Sequence, residues 1–142
     1  MARVKLSLPE NFIFETEIPV WITDINYGGH LGNDSVMSII HEARVRFLSK
    51  HGYSEFDVCG AGLIQSDAVI VFKSEAFYGD IISVSVGVGD FSSSGCDFFY
   101  LLKNKESGKL VSQAKTGIVF FDYERKKPIR VPDEFKSLCT SE

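Results

Sequence analysis

The order of hydrophobic periods along the chain predicts an α+β domain in which an antiparallel sheet wraps one long central helix. Three observations carry this. Apolar residues recur at three- and four-residue steps in one long stretch, from Asp34 to about Lys50. Alternating stretches rich in β-branched and aromatic residues lie on either side of it, one before and four after. The later segments are separated by short turn-like breaks, Tyr78-Gly79-Asp80, Ser92-Ser93-Ser94-Gly95 and Glu106-Ser107-Gly108, so successive strands are expected to pair as hairpins in a four-strand meander.

The first strand is expected within Asn11 to Thr23, with Pro19 marking an edge or a bulge. In the helix, Val36, Ile39, Ile40, Ala43 and Phe47 form one stripe, which Met37 and Leu48 widen. Val36, Ile40, Ala43 and Phe47 are expected to face the sheet. Asn33 or Asp34 can cap its start, and Lys50-His51-Gly52 places positive charge and a glycine at its end. The four later strands are expected over Ile64–Ser74, Ile81–Phe91, Cys96–Lys103 and Leu110–Phe121, with Ile82, Val84, Val86 and Val88 on one face. At 142 residues, without an internal repeat or a linker-like tract, the chain reads as one domain over 1–142.

Composition removes several classes of function. The chain is 44% hydrophobic, and no apolar run approaches the roughly 20 residues needed to cross a bilayer, so no membrane span is expected. MARVKLSLPENF lacks the apolar core of a secretory signal, which makes the cytoplasm the expected compartment. Cys59, Cys96 and Cys139 are far apart and form no CxxC pair, so inert thiols and no metal or other cofactor are expected. A net charge of −4 argues against a general affinity for nucleic acid. The local exception is the basic run Arg125, Lys126, Lys127 and Arg130, which by itself reads as a solvated basic turn after the last strand.

The polar chemistry concentrates in DINYGGHLGND, Asp24 to Asp34, between the first strand and the helix. Gly28, Gly29 and Gly32 let a ligand approach the backbone, and the N–H groups and positive dipole end of the following helix can stabilise an oxyanion. The same glycines also suit a sharp strand-to-helix turn with no further role. Asp24, Asp34 and Glu42 are the carboxylates near this junction, and Glu42 stands four residues before Arg46, the spacing of a helix-surface ion pair. His30 can act as donor or base near neutral pH, or simply bond the turn.

The junction Asp24-Ile25-Asn26-Tyr27-Gly28-Gly29-His30-Leu31-Gly32-Asn33 resembles the D-x-D-x-x-G-H-x-x-N motif of hotdog-fold acyl-CoA thioesterases of the 4-hydroxybenzoyl-CoA thioesterase type. His41-Glu42-Ala43-Arg44, Phe77-Tyr78-Gly79-Asp80, Gly117 to Asp122 and Pro128 to Pro132 resemble, in order, that family's helix segment, its turn into the third strand, and its last strand and exit. The resemblance implies a hotdog fold and hydrolysis of an acyl-CoA or acyl-carrier-protein thioester. It also implies a homodimer or homotetramer whose paired sheets carry sites at the interface. Gly28, Gly29 and Asn33 would bind the substrate, and Arg125, Lys126, Lys127 and Arg130 its nucleotide phosphates.

One departure from that pattern is chemical. Asn26 stands where many members carry the catalytic aspartate, and an amide cannot accept a proton, although it can orient water or the carbonyl. Among the remaining groups Glu42 is preferred as the base, ahead of Asp24 and His30. Two other functions stay open: a non-catalytic acyl-binding module, prompted by Asn26, and an enoyl-CoA hydratase. The hydratase pattern D-x-N-P-x-H is matched without its proline and with the histidine one residue late.

Overall fold

The computed structural model describes residues 3–140. Strand β1, Phe14–Pro19, is shorter than the stretch of β-formers that contains it. Pro19 removes a donor at its end, and the chain then folds into a 3-10 turn over Ile22–Asp24. Helix α1 runs Asn33–Lys50, and its buried face holds Val36, Ile39, Ile40, Ala43, Phe47 and Leu48, as the stripe predicts. The Phe47 ring lies 5.8 Å from Phe14 and 6.0 Å from Phe98, between the first strand and the middle of the sheet. One residue of this face is charged: Arg44 is buried among the apolar side chains.

Both helix ends are set by glycine. The start is capped by neither Asn33 nor Asp34: the N-cap is Gly32, whose carbonyl accepts from the N–H of Ser35 at 3.1 Å and of Val36 at 3.2 Å. A Cβ at Gly32 would stand 2.6 Å from the Asp34 carboxylate, so the two residues cannot exchange roles. At the other end Gly52 has φ +79°. Its N–H and that of Tyr53 return to the carbonyls of Ser49 and Leu48, a Schellman closure.

The remaining elements are β2 Gly62–Phe72, β3 Ile81–Gly89, β4 Gly95–Asn104, β5 Leu110–Asp122, the two-residue β6 Lys127–Pro128, and helix α2 Asp133–Thr140. The sheet order is β1-β3-β4-β5-β2, all antiparallel, with β6 against β5. The expected four-strand meander therefore holds only for β3-β4-β5. Strand β2 does not pair with β3 but closes the far edge against β5, with a bulge between Gln65 and Asp67. Between them the chain crosses from the β2 edge of the sheet to β3, the neighbour of the β1 edge. The Ala76 carbonyl accepts from Leu31 at 2.7 Å and the Asp80 carbonyl from Val20 at 2.8 Å, which tethers this crossover to the loop before α1.

Two termini complete the core. Helix α2, for which the sequence reading made no provision, buries Phe135 against Phe120 and Phe98 at centroid distances of 5.3 and 6.3 Å. The N-terminal arm crosses β3 at Gly87, where a Cβ would meet Pro9 at 3.0 Å and Phe12 at 3.3 Å. A cavity of about 930 Å³ separates this arm from the end of α1 and from α2.

Candidate active site

The Asp24–Asp34 loop is built from hydrogen bonds to its own side chains. Asp24 Oδ2 accepts from the Trp21 N–H at 2.8 Å, and its carbonyl accepts from Gly32 at 2.9 Å. Asn26 Oδ1 accepts from the N–H of Gly28 at 3.0 Å and of His30 at 3.3 Å. Since both partners are donors, the oxygen of this amide is fixed in the loop and its NH2 is the end left to serve a ligand. Gly28 leaves space for the His30 ring, whose Nε2 would stand 3.2 Å from a Cβ there, and Gly29 turns the chain at φ +83°.

His30 and Asn33 open onto a cleft of about 230 Å³, beside Val36 at the start of α1. The opposite wall comes from the end of β2 and the crossover: Phe72, Lys73, Ser74, Glu75 and Ala76, with Val111 from β5. Because Gly32 supplies the helix cap, the Asn33 side chain is not consumed by it. The N–H groups of Asn33 and Asp34 lie in the first turn, where no intrahelical acceptor exists. His30 is held loosely, with Nδ1 3.5 Å from the Leu31 carbonyl and Nε2 3.6 Å from Glu75. The cleft thus joins an apolar wall, a donor-rich helix start and an imidazole.

The other expected site residues lie elsewhere. Glu42 Oε2 accepts from Arg46 Nε at 2.7 Å, and Arg46 also donates to Thr16 Oγ1 and the Glu17 carbonyl of β1. This pair faces the β1 edge, whereas the cleft lies on the β2 edge. Arg125 and Arg130 make ion pairs with Asp122 at 3.7 Å and Asp133 at 3.4 Å, and Lys126, at φ +54°, turns the chain toward β6. Along β5 the cleft abuts the Ser112 end, which pairs with Phe72, while the basic turn follows the Phe121 end, which pairs with Gly62. Nine residues at about 3.3 Å each put roughly 30 Å between them. The structure brings together His30, Asn33 and the loop held by Asn26 and Asp24, but neither Glu42 nor the basic turn.

Sequence reading missed two groups. The crossover wall was hidden by the Tyr78-Gly79-Asp80 turn, which feeds β3 whichever strand precedes it. The second group is a polar cluster on the β2 side of α1. His41 Nε2 lies 2.6 Å from Glu55 Oε1, and Glu55 Oε2 accepts from Arg44 Nε at 2.8 Å. Arg44 Nη1 donates to Gln65 at 3.2 Å and to the Tyr100 hydroxyl at 3.1 Å, which meets Thr116 at 2.8 Å. Burial pushes the Glu55 carboxyl up, but the hydrogen bonds from His41 and Arg44 outweigh it and hold the group below its ordinary value. The only advance signal was a charged residue on the buried stripe.

Among the described residues no cluster has the makings of a metal site, and no helix is long and apolar enough to cross a membrane. No curated protein matches the chain in sequence. Among solved structures, a 1,4-dihydroxy-2-naphthoyl-CoA thioesterase from Synechocystis matches with a TM-score of 0.82 at 22% identity, covering 90% of this chain and 96% of its own. A DHNA-CoA thioesterase from Staphylococcus aureus matches at 0.75 and 24% identity, over 87% and 83%. A further Staphylococcus aureus protein, solved in complex with CoA, matches at 0.79 and 19% identity, over 94% and 85%. At these identities the agreement is one of fold, the hotdog arrangement of sheet and central helix. The model of the thioesterase-like superfamily matches residues 20–138, nearly the whole length of the described chain, and the protein belongs to that superfamily.

Proposed function

We propose that the protein hydrolyses an acyl-CoA thioester to a carboxylic acid and CoA. The carrying observation is the cleft, which sets the donor-rich start of α1, with His30 and Val36, against a mixed wall whose apolar members are Phe72, Ala76 and Val111. A thioester seated there has its acyl group against the apolar side chains and its carbonyl oxygen at the helix N–H groups and His30, where negative charge develops during attack. The solved complex of one relative with CoA favours CoA over acyl-carrier protein as the carrier. Whether the acyl group is that of the 4-hydroxybenzoyl-CoA type, aromatic or aliphatic, is read from the substrate panel below.

The reading includes a homodimer. Within one chain the basic turn at Arg125, Lys126, Lys127 and Arg130 is too far from the cleft to hold the phosphates of the same CoA. Antiparallel pairing of two β2 edges carries the Gly62 end of one strand to the Phe72 end of the other, and with it the basic turn. A solvated ion pair with Arg46 is the role its geometry supports for Glu42.

The test is incubation with acyl-CoA esters of varied chain length and aromaticity, following free thiol. Thiol release on at least one ester is expected. Binding without release would favour the acyl-binding module that Asn26 suggests, and a 3-hydroxyacyl product would favour a hydratase. Glu42→Gln is expected to keep near-wild-type turnover; a loss of about 100-fold in a folded variant would return Glu42 to the role of base.

A further inference from the structure

We propose that His41 and Glu55 of one protomer complete the cleft of a second copy of the chain, with His41 as the general base that activates the hydrolytic water. This rests on the thioesterase reading and assigns the proton acceptor that Asn26 cannot be.

The cleft of a single chain is incomplete. About 230 Å³ is below the roughly 300–1,000 Å³ of ordinary ligand sites, the loop beside it offers an amide where a carboxylate would serve, and the carboxylate on its wall, Glu75, is turned to His30 Nε2 at 3.6 Å and is largely exposed. A histidine held by a carboxylate lies on the β2 side of α1, the same side as the cleft. Glu55 carries its charge below the ordinary carboxylate range and accepts, so across the 2.6 Å contact His41 donates from Nε2, and Nδ1 is the ring nitrogen that Glu55 does not engage. Glu55 is itself fixed by Arg44, which is 4% exposed and braced by Tyr100 and Gln65. The His41 side chain is 55% exposed, so an oriented imidazole is presented at the surface.

The occupant that brings the two together is a second copy, joined along β2. The two sheet edges are unlike. Strand β1 carries Glu15, Glu17 and a terminal Pro19, features that discourage pairing with another chain. Strand β2, GLIQSDAVIVF, carries one charge in 11 residues, and that charge is turned away: Asp67 accepts from Lys115 and from the Gly117 N–H, at 2.8 and 2.9 Å. A two-fold axis perpendicular to the sheet near Asp67 sets Gly62 opposite Phe72, and Gln65 opposite Val69, of the other copy. The axis keeps both helix faces on one side. The dyad beside Gln65 then lies about 10 Å along the strand from the other copy's Phe72, within reach of its cleft.

In the reaction, water oxygen attacks the thioester carbonyl carbon while His41 Nδ1 takes the water proton. The tetrahedral intermediate collapses by breaking the C–S bond, and the departing thiolate recovers that proton from Nδ1. The products are the carboxylic acid and CoA, with no other reactant.

The experiment uses two differently tagged chains, His30→Ala and His41→Gln, co-expressed and purified as the heterodimer. Each homodimer is expected to lose about 100-fold in kcat. The heterodimer has one site with both histidines and one with neither, so about half of wild-type activity per dimer is expected. A heterodimer as inactive as its parents, a fully active His41→Gln homodimer, or an active wild-type monomer in light scattering would each overturn the proposal. Glu55→Gln, which keeps the shape of the dyad, is expected to lower kcat with little change in KM; unchanged kcat would also overturn it. If the wild type releases thiol while His41→Gln keeps full turnover, only this assignment fails. If the wild type releases none, the hydrolase reading falls with it.

Discussion

The three cysteines differ in what their surroundings permit. Cys59 is exposed in a left-handed turn at φ +54°, whereas Cys96 and Cys139 are buried. Burial pushes the Cys139 thiol up to about 12 and the Cys96 thiol higher still, so neither forms a thiolate near neutral pH. One cysteine per native chain is expected to react rapidly with a disulfide reagent, and all three after denaturation. Two rapid equivalents would mean that α2 opens easily. At the same scale, Asp24 binds the loop through its bond to Trp21, so Asp24→Ala is expected to cost about 1 kcal/mol in denaturant melts, the loss of a cap-like bond. The loop residues were legible in sequence because glycine, asparagine and histidine have few other reasons to crowd one junction. Which donors Asn26 would satisfy was not legible, since an amide serves a turn and a ligand with the same atoms.

Helix α1 has two flanks with different tasks. Toward β1, the Glu42–Arg46 pair lies half in solvent, a kind of contact that contributes little. Toward β2, Arg44 ties Glu55, Gln65 and Tyr100 to one guanidinium. Arg44→Leu would leave Glu55 with His41 alone and the Tyr100 hydroxyl with Thr116 alone, and is expected to cost about 3–5 kcal/mol. Phe47→Ala, which empties a fully buried ring position, belongs in the same range of about 3–5 kcal/mol. A loss below about 1 kcal/mol in either variant, from urea melts, would show that the interior re-forms around the change. The helix was readable because its stripe is long and regular. The partner of β2 was not, because local turn residues fix where a strand ends and not which strand it meets. Helix α2 has only 8 residues, too few for a period to stand out.

At the scale of the whole molecule, two carboxylates among the described residues are held below their ordinary values. For Asp67 the chief cause is the bond from Lys115; for Glu55, those from His41 and Arg44 prevail over burial. A depressed carboxylate adds stability that is complete above its unfolded pKa and is lost as pH falls through the folded one. Stability is therefore expected to hold across the mildly acidic range and to decline below about pH 4, where unfolded carboxylates begin to take up protons. Urea midpoints measured against pH test this, and Glu55→Gln is expected to flatten the decline; an unaltered slope would remove Glu55 from the linkage. The overall layout of helix and sheet was open to sequence reading because it follows from periodicity. Sites at a dimer interface were implied by the family resemblance alone; which edge is free to pair was not legible, because it depends on the order of the strands in the sheet.

The crossing of the N-terminal arm over Gly87 bears on how the molecule breathes. The arm is tied to the sheet near this point by the Ile13 N–H to the Val86 carbonyl at 2.9 Å, and the cavity of about 930 Å³ lies beside it. A segment with so few bonds can lift while the five long strands stay paired, so deuterium is expected to enter the Ile13 amide long before that of Tyr100 in mid-sheet. Gly87→Ala drives a methyl group against Pro9 and is expected to hasten labelling of the arm alone. If arm and β4 took up label together, peeling of the arm would be no event of its own, and the chain would open only as a whole.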